Sequence, residues 1–254
     1  MPPATSSDPA APLSPAARPD NLTSVVFAAI RDKIVDASLP PGSSVSEAGL
    51  AAQLQVSKTP VREALLQLRY IGLVEPTTRG LRVAQPSAVA IRDAFEYRAG
   101  IEAIAGSYAA MRSKAAQHER ILEFANASLR SAKDGRSAEF LASDRKFHLA
   151  VASATGNQVL SQAVENACVL TQALRQRDIH VDRDFVPDAR EHVGIAKAIK
   201  AGDADLASER SAGHIQRIMV QLLDAFPDAA GATSGDGVAS PARKSTGRGR
   251  KRTA

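Results

Sequence analysis

Apolar residues return at three- and four-residue spacing along most of this chain. Leu22, Val25, Val26, Ala29, Ile30 and Ile34 form one such stripe, which predicts an amphipathic helix with those residues inward. Leu39-Pro40-Pro41-Gly42 stops it. Ser46 is a natural N-cap for a short second helix with Leu50 and Leu54 inward, and Gln55-Val56-Ser57-Lys58 makes a tight connection. A third helix takes Thr59 as N-cap and Pro60 at its first position. It buries Val61, Ala64, Leu65 and Leu68 and stops at Gly72. The period then changes. Leu73-Val74-Glu75 and Leu81-Arg82-Val83 read as two short strands around Pro76-Thr77-Thr78-Arg79-Gly80. Three helices and a hairpin over residues 21–84 predict a winged helix-turn-helix domain.

From residue 87 to 226 only helical periodicity remains. Breaks fall near Ser113, Asp134-Gly135, Thr155-Gly156-Asn157, Asp182 to Pro187 and Ala201-Gly202-Asp203, which leaves about six helices of ordinary length, a helical bundle. The fold class expected is therefore mainly α, a winged helix-turn-helix followed by an all-helical domain. Composition agrees: 48 alanines, 4% aromatic residues and no Trp favour helices and exclude a β-sandwich or barrel. Residues 1–20 carry six Pro and read as a disordered arm, neither basic and apolar enough for a secretory signal. No run reaches the length of a membrane span. A single cysteine, Cys168, excludes a disulfide framework and a CxxC zinc finger, reads as a small buried hydrophobe, and fits a cytoplasmic protein.

The net charge of +5 is unevenly spread. Residues 241–254 carry six Lys or Arg and no acid, so residues 1–240 sum to −1. The tail over 227–254 is expected to be disordered, and its charge says nothing about the folded part. The third helix says more. A recognition helix presents its N-terminal residues to base edges in the major groove, and here that end carries Ser57, Lys58, Thr59 and Arg62. Arg69 lies two turns beyond Arg62 on the same face, roughly opposite Val61, Leu65 and Leu68, and Arg79-Gly80 would form the wing tip. Arg is the commonest bidentate reader of guanine, while Lys and Ser/Thr hold phosphates. Taken singly, each of these charges is equally well a solvated surface group.

The run Val45-Ser46-Glu47 through Leu50-Ala51-Ala52-Gln53-Leu54-Gln55-Val56-Ser57-Lys58-Thr59-Pro60-Val61-Arg62-Glu63-Ala64-Leu65, followed by Leu68 and Gly72-Leu73-Val74, resembles the N-terminal domain of the GntR family of bacterial transcription regulators. The resemblance implies operator contacts by Lys58, Thr59 and Arg62 and a backbone approach at Gly80. Two departures stand out. Lys58 replaces the usual Arg and loses its bidentate geometry, and Ala48 stands where some members carry a DNA-contacting Arg.

Asp144 and His148 are four apart, hence on one helical face; His192 and His214 fall on two later helices. One carboxylate and three imidazoles make a sound set for a divalent ion such as Zn, Ni, Mn or Fe, although spacing alone fits partly exposed histidines as well. Asp144-Arg145-Lys146-Phe147-His148, Gly156-Asn157, Glu191-His192 through Ile199, Gly202-Asp203 and His214 resemble the FCD effector domain of the same family. That implies a divalent metal on those four residues, a homodimer, and a small organic-acid effector. Tyr97-Arg98-Ala99-Gly100-Ile101-Glu102 resembles the R-x3-E element of that domain, with Arg98 turned inward to hold the effector carboxylate; an exposed ion pair is the plainer reading. His118 and His180 read as surface residues. The expected function is a metabolite-responsive transcription regulator, a repressor, without enzymatic activity. The alternatives are a metal-dependent hydrolase or lyase with Glu191 as base, a direct metal sensor, and nucleoid-type binding through the tail.

Overall fold

The computed structural model describes residues 20–175 and 184–225; the arm before residue 20, His180 and the basic tail lie outside the described residues. Helix α1 (Asp20–Val35) buries Val26, Ile30 and Ile34, a narrower stripe than its apolar pattern predicts. Val25, one residue off that stripe, and Leu22, in the first turn, are exposed. The helix ends before its prolines, with Ala37 in the left-handed region at φ 63°. A two-residue strand β1 (Ser44–Val45) follows, too short to carry a period and absent from the expected elements. Ser46 caps α2 (Glu47–Leu54) by accepting from Gly49 N at 3.2 Å.

Ser57, not Thr59, occupies the N-cap position of helix α3 (Lys58–Tyr70), without a side-chain capping hydrogen bond, so Pro60 sits at the third helical position. A proline fits anywhere in the first turn, because N–H groups there have no partner within the helix. Val61, Ala64, Leu65 and Leu68 are buried as the pattern requires. Gly72, at φ 82°, turns the chain into β2 (Val74–Thr77), which pairs antiparallel with β3 (Gly80–Val83). β1 adds to the other edge of β3, giving the order β1-β3-β2.

The remaining helices are α4 (Ala88–Arg112), α5 (Ala115–Lys133), α6 (Ser137–Ala154), α7 (Gln158–Arg175), α8 (Val186–Ala201) and α9 (Ala204–Ala225). The breaks near Ser113, Asp134-Gly135, Thr155-Gly156-Asn157 and Ala201-Gly202-Asp203 fall as expected; of the break at Asp182 to Pro187, residues 182 and 183 lie outside the described residues and Pro187 lies in the first turn of α8. Helix α4 is central and packs on α6, α7, α8 and α9. It approaches α9 tightly at Gly106, where a Cβ would lie 2.6 Å from Ser211 Oγ and 2.7 Å from the Ala207 carbonyl oxygen.

Helix α7 faces two ways. Val169 and Ala173 are buried in the same core as Leu65, Leu68 and Leu73 of the winged helix, with Leu170 packed against it. Cys168, one residue earlier, belongs to the core of the helical bundle. The two parts of the protein therefore share an apolar seam through one helix.

Candidate metal centre and nucleic-acid interface

The N-terminus of α3 and the wing tip lie in the open. Ser57, Lys58, Thr59, Arg62, Arg69, Arg79 and Gly80 are all exposed. Arg62 is held by Glu47 of α2, donating from Nε at 3.1 and 3.2 Å and from Nη2 at 2.9 Å. The ion pair raises the Arg62 pKa and lowers that of Glu47. Being exposed, it is screened and weak, so it aims the guanidinium without committing it. At the tip, Thr77 and Gly80 pair across a two-residue turn, with Gly80 at φ 137° and no atom within 4 Å of a Cβ built there.

The second site is buried. Asp144 and His148 come from α6, His192 from α8 and His214 from α9, and one donor atom from each lies within 4.8 Å of all the others. His192 Nε2 is 3.4 Å from Asp144 Oδ1 and 3.2 Å from His214 Nε2. His148 Nε2 is 3.7 Å from Asp144 Oδ1. An ion about 2.1 Å from each donor sets neighbouring donors about 3.0–3.4 Å apart and opposed ones about 4.2 Å apart, close to these separations.

Outer partners decide the tautomers. Ser128 Oγ donates its one hydrogen to the Ala125 carbonyl, so His192 Nδ1 is the donor in its 3.1 Å contact with that hydroxyl. His214 Nδ1 donates to Glu191 Oε2 at 2.7 Å, and His148 Nδ1 to Glu102 Oε2 at 2.5 Å. Both acceptors are ionised. Burial would raise their pKa, but His148 and Arg98 bring Glu102 down to about 2, and His214 and Arg217 do the same for Glu191. Burial drives His214 down to about 4. Burial lowers His192 as well, whereas for His148 burial is outweighed by the Glu102 carboxylate, which raises the pKa. With Nδ1 carrying the proton, the neutral rings of His192 and His214 turn bare Nε2 lone pairs inward. His148 Nε2 is enclosed without a hydrogen-bond partner, and the Nε2 atoms of His192 and His214 face each other. Lone pairs so placed repel unless a cation lies among them. The residues fit a divalent metal, with the outer hydrogen bonds typical of ligating histidines.

Arg98 is 3% exposed, which excludes a surface ion pair. It donates from Nε to Glu102 at 2.6 Å and from Nη1 to Thr171 Oγ1 at 2.9 Å. It lines a cavity of about 30 Å³ beside Asp144, shared with Leu141, Arg145, Cys168, Gln172 and Arg175. Glu102, read from the sequence only as part of the R-x3-E element, also orients His148; Ser128, which orients His192, was not legible, because nothing in the local pattern marks a buried Ser on α5. His118 is not a plain surface residue: it is half-buried with Nε2 enclosed, because α5 packs on both α6 and α8. Cys168 is buried as expected, and burial pushes its thiol up to about 12. Glu191 is pinned by Arg217, which donates from Nε at 2.6 Å and from Nη2 at 2.6 Å. A carboxylate held so is poorly placed to act as a base.

Fold and exposed basic helix define a winged-helix DNA-binding protein carrying an all-helical second domain. Residues 22–80 match the family of bacterial regulatory proteins named gntR, and residues 93–217 match the FCD domain. The chain belongs to the GntR family of transcription regulators, with FCD as its second domain. It is 34% identical over 202 residues to the "Probable D-xylose utilization operon transcriptional repressor" of Paenarthrobacter nicotinovorans, covering 75% of this chain and 85% of that one. Among solved structures, Escherichia coli McbR/YncC superposes with a TM-score of 0.67 at 20% identity, covering 80% of this chain and 97% of the other. A structural-genomics structure from Rhodococcus sp. RHA1 gives 0.64 at 23%, covering 81% and 99%. At these identities both speak to the fold. No described helix is long and apolar enough to cross a membrane.

Proposed function

We propose that this protein is a repressor that binds operator DNA as a homodimer in the cytoplasm and responds to a small organic acid. The observation that carries the reading is the convergence of three histidine Nε2 atoms and Asp144, the last of which also lines a small cavity with Arg98. In this reading Asp144, His148, His192 and His214 hold a divalent ion, and Arg98 receives the effector carboxylate. The ion supplies an electrophile for carboxylate oxygens; Glu102, Ser128 and Glu191 keep the three rings turned toward it.

DNA is read by Ser57, Lys58, Thr59 and Arg62, with Arg69 and the Arg79-Gly80 tip on the backbone. Paired half-sites need two recognition helices about 34–36 Å apart, hence a second copy of the chain. The exposed apolar residues Val89, Tyr97, Ile104 and Met111 repeat at seven or eight along α4 and offer that copy a face. Coupling between the sites runs through α7, and the effector alters DNA affinity only as far as it favours one packing of that helix over another. A xylose-operon repressor among the relatives supports regulation of a catabolic operon.

The test is selection of DNA from a random library by metal-loaded full-length protein, followed by fluorescence anisotropy with organic acids added. The expected result is a two-fold symmetric sequence whose affinity changes at least several-fold with one acid, and no consumption of that acid. Turnover of the acid would favour the metalloenzyme reading instead, and failure to enrich any sequence would overturn operator binding.

A further inference from the structure

A hydrogen-bonded chain leads out of the metal centre toward the winged domain. His148 Nδ1 donates to Glu102 Oε2 at 2.5 Å, Glu102 Oε1 accepts from Arg98 Nε at 2.6 Å, and Arg98 Nη1 donates to Thr171 Oγ1 at 2.9 Å. His148 stands on α6, Glu102 and Arg98 on α4, and Thr171 on α7, and all four side chains are buried. Thr171 carries the only hydroxyl among the buried side chains of α7. Its one hydrogen is engaged within its own helix, at the carbonyls of Ala167 and Cys168 at 2.8 and 3.2 Å, so Arg98 holds the oxygen by a lone pair. The residues around Thr171 face the winged helix. Val169 and Ala173, two before and two after, are buried in its core, and Leu170 packs against it, with both methyl carbons 3.5 Å from a Cβ built at Gly72.

We propose that Thr171 is the positioning residue that relays occupancy of the metal centre to the winged domain. The proposal rests on the metal reading above and adds the route by which the ion acts on α7. An ion on His148 Nε2 fixes the ring, and the ring fixes Glu102 through Nδ1. The Glu102 carboxylate is held on both oxygens, so a displacement of His148 reaches Arg98. Arg98 in turn holds α7 by the Thr171 hydroxyl, at the level where that helix packs on α1 and on the core around Leu65 and Leu73. The links are charge-assisted and enclosed, which makes them short and strong. Without the coordinate bond to His148, one of the ring's anchors is gone, and the hold on α7 loosens with it. The relay carries only as much free energy as the ion's preference for one placement of α7 over another. Helix α4 also reaches the winged domain covalently, through residues 84–87, and a test has to separate the two routes.

Amide hydrogen exchange, read by mass spectrometry on full-length protein with Zn²⁺ or with chelator, makes the separation. Residues 61–73 include the part of the winged domain that shares a core with α7. Their exchange is expected to slow with Zn²⁺ by several-fold and by no more than about 100-fold, the most that one buried hydrogen bond to a charged group transmits. Thr171→Val keeps the shape of the side chain without its acceptor, and the Zn²⁺-dependent slowing of residues 61–73 is lost. Zn²⁺ affinity in calorimetry stays within about threefold of wild type, because the opened winged domain is a minor state. Thr171→Ser keeps Oγ and restores the slowing. Thr171→Ala leaves room for a water on Arg98 Nη1, so it folds even where Thr171→Val does not, and it shows the same loss. Slowing equal to wild type in either variant overturns the relay in favour of the covalent route. So does a loss that Thr171→Ser fails to restore, which marks a packing effect. Zn²⁺ bound by wild type without any slowing of residues 61–73 overturns the relay and leaves the metal reading in place. If wild type binds no Zn²⁺, the metal reading fails and the relay with it.

Discussion

Metal loading is the perturbation that reaches most of the helical domain at once. The four donors come from α6, α8 and α9, and their outer partners from α4, α5 and α8, so one ion ties five helices together. Without it, the bare Nε2 lone pairs of His192 and His214 face each other beside His148 and the Asp144 carboxylate in a buried space. At a free-ion concentration 100 times the dissociation constant, binding to the folded state alone adds about 2.7 kcal/mol. For a protein of this size each kcal/mol moves the melting temperature by about 2–4 °C, so Zn²⁺ should raise it by roughly 5–11 °C over chelator-treated protein. The assay is a circular dichroism melt of full-length protein, paired with elemental analysis. His148→Ala removes one of four donors and should lose most of the gain, whereas His118→Ala, outside the cluster, should keep it. A gain of equal size in wild type and His148→Ala, or no retained metal in wild type, would refute the convergence argument.

Arg62→Ala should weaken specific operator binding by roughly 5- to 150-fold in anisotropy titrations while leaving the melting curve in place. Lys58→Ala should weaken binding evenly across sequences and reduce the salt slope by about one. Gly106→Ala should destabilise by about 1–3 kcal/mol in urea titrations, because a Cβ 2.7 Å from the Ala207 carbonyl oxygen forces α4 and α9 apart; the helix propensity gained, about 1 kcal/mol, does not offset this. Leu170→Ala, at the seam between α7 and the winged helix, should leave acid binding in calorimetry unchanged but shrink its effect on DNA affinity. An undiminished response would rule α7 out as the coupling element.

Sequence by itself determined where the elements lie, because their signals are local. Ser46 and Ser87 cap helices that begin one residue later, Gly72 and Gly202 sit at left-handed stops, and the period changes where the hairpin begins. It also set Asp144 and His148 on one face, since four residues make about one turn. Only the tertiary structure decided which parts of each face are covered. Leu22 and Val25 belong to the apolar pattern of α1 yet stay exposed, while Arg98 and Glu102, four apart like an ordinary surface pair, are enclosed. β1 is a strand only because β3 supplies partners for two residues that carry no period of their own. The metal centre depends on both levels. The residue types were legible, but a histidine becomes a ligand when its other nitrogen is already engaged. Those engagements, His148 to Glu102, His192 to Ser128 and His214 to Glu191, join residues 46, 64 and 23 positions apart. Separations of that kind are closed by packing, which no local pattern encodes.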